Sequence, residues 1–437
     1  MTLSDSNSAA APDTVPPPEL RHRVMAGFTG NVVEWYDFAL FGYMAGVIAP
    51  VFFPQTSQAA GLIATYGIFA AGFLMRPLGS AFFGWYGDRF GRAHAMLLSV
   101  AMMAFPTLLL GLLPGHAQIG LLAPALLVVV RMVQGLSVGG EFSSSVTYLV
   151  ETAPQRRRGF MGSWANVGSM FGMLLGAGAA AATTGYFGTD ALAAWAWRLP
   201  FLGGGVIGVI AVISRLDLIK SERFKAYHDT RPDTSPLLEA FTTNRRETIL
   251  ALVFASGYAI SFYIGFVYLP EWIATHTGVS RDLALLINTV ATALIIPLLP
   301  LSGLIGDRVF RRKTWIMLAL AGLGVAAWPL YLWMASGGGV AAVVVTHLVL
   351  FTLLAGPLGS SPAFFVEMFP SRDRLSGYSV AFNLGMGFVG GTTPMVAAAL
   401  TTFTGMDTAP ALYLAFGVIL AVTALRLAPD HSRGPLP

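Results

Sequence analysis

The sequence predicts an all-α membrane protein of twelve transmembrane helices arranged as two pseudo-symmetric six-helix bundles. Three observations predict it. Only 11% of residues are charged and 55% are hydrophobic, whereas an ordinary soluble domain carries about 25% charged residues. Apolar stretches long enough to cross a hydrocarbon core of about 30 Å recur along the chain. The loop pattern of the first half returns in the second. The absence of cysteine excludes disulfide frameworks, thiolate metal sites and cysteine nucleophiles.

Taken in order, residues 1–23 begin with a stretch rich in Ser, Ala and Pro, and are expected to form a disordered cytoplasmic tail. Apolar spans fall near residues 24–51, 59–83, 95–113, 119–150, 160–184 and 195–214, an N-terminal bundle occupying 24–214. Residues 215–247 hold seven Lys or Arg and two prolines, and form the central cytoplasmic loop. Spans near 249–273, 283–303, 314–335, 339–366, 377–402 and 409–427 make a C-terminal bundle over 248–427, and 428–437 is a short cytoplasmic tail.

The net charge of +4 does not point to nucleic acid, because the basic residues sit in short clusters between apolar spans. Of the 26 Lys and Arg, 22 fall on the side of the two termini. Arg198 and Arg281 fall on the other, and Arg76 and Arg131 lie inside spans. The positive-inside rule places that richer side, with both termini, in the cytoplasm of a cell with an inner membrane.

An internal repeat supports the two halves. GWYGDRFGR (Gly84 to Arg92) after the second span returns as GLIGDRVFRR (Gly303 to Arg312) after the eighth, and Glu151-Thr-Ala-Pro154 after the fourth returns as Glu367-Met-Phe-Pro370 after the tenth. Duplicated bundles packed face to face place a site between them near the membrane midplane.

These residues resemble the major facilitator superfamily: the first loop motif is similar to its GxxxDRxGR signature, and Arg131-Met-Val-Gln134-Gly135 to its RxxQG motif. More narrowly, Gly30-Asn31-Val-Val-Glu34-Trp35-Tyr36-Asp37, Arg76-Pro77-Leu-Gly79, Gln134 to Glu141 and Arg158-Gly-Phe-Met-Gly162 resemble the metabolite:proton symporter family. That resemblance implies a permease for α-ketoglutarate, citrate, shikimate, or osmolytes such as proline and betaine. Phe382-Asn383 stands where that family usually has Tyr-Asn, and about ten residues follow the last span instead of the long coiled-coil tail of osmosensing relatives.

Ionisable residues inside a membrane are expensive and mark candidate sites. Glu34 and Asp37 lie one turn apart on span 1, roughly 16 to 20 Å from Arg23 along the helix. Arg76 on span 2 and Arg131 on span 4 lie at a depth of roughly 18 Å from opposite ends. Arginine grips a carboxylate through two parallel hydrogen bonds, so Arg76 and Arg131, with Tyr36, Gln134 and Asn383, are the candidate substrate-binding residues. Glu34, Asp37 and Glu141 are the candidate proton carriers, since burial raises a carboxyl pKa toward the working range. His347, the counterpart of Arg131 at the repeat offset of 216, joins them as a titratable group. The competing reading has these charges neutralise one another in buried ion pairs. Asp88, Arg92, Glu151 and Arg158 in one half and Asp307, Arg311, Glu367 and Arg374 in the other are expected to form a cytoplasmic ion-pair gate. Gly168, Gly172 and Gly176 on span 5 permit close helix approach. The aromatics Trp35, Tyr36, Tyr66, Trp164, Tyr258 and Tyr263 shape the cavity or stack on a cationic substrate.

The expected function is therefore proton-coupled import of a small di- or tricarboxylate by alternating access, with no cofactor or metal and one chain, embedded in lipid, sufficient as a monomer. The alternatives are a symporter for a zwitterionic osmolyte, or a drug efflux antiporter, against which span 5 lacks a Gly-Pro pair. Gly135-Leu-Ser137-Val-Gly139 matches a GxSxG nucleophile elbow, yet it lies within an apolar span and not at a strand-turn-helix, so an enzyme is not expected.

Overall fold

The computed structural model describes residues 31–79, 82–83, 86, 92–138, 141–151, 153–219, 244–370 and 374–437. Among these residues nine helices are long and apolar enough to cross a membrane. They are span 2 (Gln58–Gly79), span 5 (Gln155–Tyr186), span 6 (Leu192–Ile210), span 7 (Arg245–His276), span 8 (Arg281–Arg308), span 9 (Arg312–Ala335), span 10 (Gly339–Glu367), span 11 (Gly377–Thr404) and span 12 (Ala409–Leu427). Span 1 is a bent pair, Asn31–Tyr43 and Ala45–Phe52, and the shorter helices Leu97–Leu112 and Leu122–Ser137 supply spans 3 and 4. The twelve are those expected, with two differences. The span 6 helix runs on to Ile219, beyond the apolar stretch near 195–214. Span 4 is described as two helices, Leu122–Ser137 and Glu141–Glu151.

Local chemistry sets the ends and bends. Ser57 caps span 2 by accepting from the Ala60 amide at 3.3 Å. Span 11 stops at Gly405, whose φ of +66° is a left-handed conformation that favours glycine. Span 1 turns by 63° after Tyr43. Spans 7 and 11 each widen into π-helical turns, Ile264–Tyr268 and Asn383–Gly390, a geometry often found at functional sites.

Large apolar side chains such as Leu121, Val325 and Ile419 face outward, while Glu34, Asp37, Arg76 and Arg131 are all buried. This is the distribution a hydrocarbon solvent imposes, since an unpaired charge facing lipid costs several kcal/mol. Within the first half, spans 3 and 6, 3 and 4, and 2 and 4 pack together; within the second, spans 7 and 12, 9 and 10, and 8 and 10 do so. Between halves, span 5 packs on spans 8 and 10, and span 2 on span 11.

Candidate transport site

Two buried ion pairs occupy the middle of the first half, and they differ in what surrounds them. Arg131 Nη1 donates to Asp37 Oδ2 at 2.7 Å and to Gln134 Oε1 at 2.8 Å. Gln134 Nε2 donates to Asp37 Oδ1 at 2.8 Å and to Thr107 Oγ1 at 2.9 Å, and Thr107 donates to the same Asp37 oxygen at 2.7 Å. The Arg131 guanidinium also lies 4.4 Å from the centre of the Phe41 ring. Spans 1, 3 and 4 supply every member, so this network lies wholly inside the first half.

Arg76 Nη2 donates to Glu34 Oε1 at 2.9 Å, and its guanidinium rests 4.3 Å from the centre of the Phe73 ring. This pair faces the other half. A Cβ on Gly387 of span 11 would lie 3.5 Å from Arg76 Cδ, and one on Gly391 would lie 2.5 Å from Phe73 Cβ. Phe73 meets Tyr263 of span 7 edge-on at 5.6 Å, and Trp35 meets Phe262 edge-on at 5.4 Å. The Tyr263 hydroxyl and the Trp35 indole N–H are buried with no hydrogen-bond partner among the described residues. Unspent donors in an aromatic setting are what a polar ligand needs.

The other expected site residues separate from this pair. Tyr36 donates its hydroxyl to the Pro200 carbonyl at 2.7 Å, tying span 1 to span 6 inside the first half. Asn383 opens the wide turn of span 11 and donates to Ser379 Oγ at 3.2 Å. His347 Nδ1 donates to Val343 O of its own helix at 2.9 Å, and its ring meets Phe351 edge-on at 5.4 Å. Those contacts are both within span 10 of the second half. The Glu141 and Arg92 side chains and all of Asp88 lie outside the described residues. On span 5, Gly172 and Gly176 admit the span 1 backbone: Cβ atoms there would lie 2.4 Å from Val32 O and 3.0 Å from Tyr36 O.

At the arginine-rich face two ion pairs cross between the halves, where the sequence reading had joined them within each half. Arg374 reaches Glu151 at 2.7 Å, and Arg158 reaches Glu367 at 3.6 Å. Asp307 of span 8 accepts from the Gly159 and Phe160 amides at 2.9 Å each, a carboxylate set on the positive N-terminus of the span 5 helix. The halves touch there through backbone: a Cβ on Gly303 would lie 2.5 Å from Gly159 O. Arg311 is a further correction. It precedes span 9 in extended conformation and is largely exposed, its ion pair among the described residues being with Asp430 at 3.5 Å. Its neighbour Arg312 begins the helix, is fully buried, and meets Glu367 at 2.9 Å and Asp307 at 3.3 Å. The chain after span 12 lies across this cluster, the Ser432 and Gly434 carbonyls accepting from Arg312 at 2.9 Å and Arg158 at 3.0 Å. Burial alone would raise the Asp430 carboxyl, but the Ser432 donors and Arg311 outweigh it and hold it below its usual range.

Thr107 and Arg312 escaped the sequence reading as site residues. Arg312 stands beside a residue of the same type, and a threonine in an apolar span gives no signal of its own.

The comparisons with known proteins agree with this architecture. A family model described as "Sugar (and other) transporter" matches residues 23–234. The chain is 34% identical to the ectoine/proline transporter ProP of Corynebacterium glutamicum, over 100% of this chain and 88% of that protein. It is 33% identical to the citrate-proton symporter of Salmonella typhi, over 91% of this chain and 92% of the relative. Among solved structures, the xylose transporter XylE from E. coli in a partially occluded inward-open conformation superposes with a TM-score of 0.75 at 18% identity, covering 94% of this chain and 98% of that one.

Proposed function

Because the chain belongs to the metabolite:proton symporter family of the major facilitator superfamily, we propose that it takes up a small zwitterion with one carboxylate, of the proline and betaine class, together with a proton. The arginine-rich face is cytoplasmic and the membrane is the cell membrane of a bacterium.

The observation that carries this reading is the unequal placement of the two arginines. Arg131 is enclosed with Asp37, Gln134 and Thr107 in the first half. Arg76 and Glu34 face spans 7 and 11, where a site shared by both halves must lie. One arginine at the interface suits one carboxylate.

The coupling follows from charge. With Glu34 ionised, the pair is neutral and Arg76 is occupied. A proton on Glu34 withdraws that negative charge from Arg76, and a substrate carboxylate then takes its place through a charge-assisted fork. Proton and carboxylate thereby bind better together than either does alone. The cationic nitrogen of a zwitterion would rest against Trp35, Phe262 and Tyr263, where a cation over an aromatic face gains about 0.5 to 2 kcal/mol. The names of the relatives support the shared chemistry, since proline, betaine, ectoine and citrate all carry carboxylate.

Uptake into proteoliposomes under an inward proton gradient, with labelled glycine betaine, proline, α-ketoglutarate and citrate side by side, tests the assignment. Betaine or proline is expected to accumulate and a protonophore to abolish it. Accumulation of citrate or α-ketoglutarate alone would overturn the zwitterion reading and return Arg131 to the role of second anchor.

A further inference from the structure

Span 7 carries an acid among its apolar residues, Glu271, and it is buried. It pairs through both carboxylate oxygens with both terminal nitrogens of Arg281, the first residue of span 8, one of these contacts measuring 2.8 Å. The pair belongs wholly to the second half, yet it seats on the first. A Cβ placed on Gly46 of span 1 would run into the Arg281 guanidinium and the Glu271 carboxylate, and one on Gly42 would lie 2.5 Å from Val267 Cγ1. Gly46 stands just beyond the 63° bend of span 1, so the bend and the missing side chain together form the notch that receives the pair. Tyr66 of span 2 and Tyr268 of span 7 meet edge-on beside it at 6.1 Å. Gly42, Tyr43, Val267, Pro270, Glu271 and Arg281 line one narrow slot there.

We propose that the Glu271–Arg281 pair, seated in the Gly46 notch, is the gate on the face opposite the arginine-rich one. A paired fork is compact and rigid, and it fills the notch only while both partners are joined. Unpaired, Arg281 gains by turning to water, the notch empties, and spans 1 and 7 are free to part. The inference rests on transport by alternation between two open faces, and not on the identity of the substrate.

The chain has no native cysteine, so Tyr43→Cys gives a single reporter inside the slot. It is labelled with a membrane-impermeant maleimide in right-side-out and, separately, inside-out vesicles, with no substrate present. Against the slow parent, Glu271→Gln and Gly46→Ala should each raise labelling in right-side-out vesicles by about tenfold, the size of a modest shift between two populated states. The exchange Glu271→Arg with Arg281→Glu should restore the slow rate, which a simple loss of folding would not do. Equal labelling in all backgrounds, or acceleration only in inside-out vesicles, would overturn the gate. Neither result depends on which solute the protein carries, so failure here is distinct from failure of the zwitterion assignment.

Discussion

Arg76→Gln should reduce uptake by about 100-fold or more while the protein still reaches the membrane. A charge-assisted hydrogen bond to a carboxylate contributes about 1.5 to 3 kcal/mol, and the fork supplies two. Losing both at about 1.4 kcal/mol per decade gives two orders of magnitude at the least. Glutamine cannot supply the positive charge that faces Glu34, which is 3% exposed. Arg76→Lys should recover only part of the activity, because an ammonium is a point charge without the planar fork. Initial uptake rates normalised to membrane-inserted protein decide this, and full transport by Arg76→Gln would remove the residue from the site.

Asp37→Asn should act mainly on stability. Arg131 would be left fully buried without its counter-ion, and one amide oxygen could no longer serve both Arg131 on one side and Gln134 and Thr107 on the other. Breaking one side of a buried pair costs about 3 to 5 kcal/mol. Replacing both partners, Asp37→Asn with Arg131→Gln, removes the uncompensated charge, so the double variant should unfold at a higher temperature than either single one in detergent. A double variant as unstable as the sum of the singles would mean that the two side chains do not act as a pair. The zwitterion reading further requires that a folded double variant retain measurable binding, since neither residue touches the substrate.

Much of the fold was legible in the sequence because a bilayer leaves few solutions: each apolar stretch is a helix, and the repeated GDR loops count them in two sets of six. The ionisable residues inside the spans were legible for the same reason, and Glu34, Asp37, Arg76 and Arg131 do gather in the interior. Their partners were not. Helical spacing shows which side chains share a face of one helix, but Arg131 meets Asp37 across two helices, and the packing that selects Asp37 over Glu34 comes from Thr107 on a third. The gate shows the same limit. Acids and arginines repeat in sequence within each half, whereas Glu151 and Arg158 find Arg374 and Glu367 because closing one face brings the two halves together. Glu271 was the available signal left unused: an acid within an apolar span, on the same grounds that singled out Glu34.

The central claim is that a proton on Glu34 releases Arg76 to the substrate carboxylate, and Glu34→Gln tests it most directly because the amide imitates the protonated state. Two assays on the same proteoliposomes separate binding from coupling: exchange of labelled against unlabelled substrate with no gradient, and net accumulation driven by an inward proton gradient. Exchange at a rate near that of the parent, with accumulation lost and no response to external pH, is the predicted result. Gradient-driven accumulation that survives in Glu34→Gln would place the coupling proton elsewhere and contradict the account.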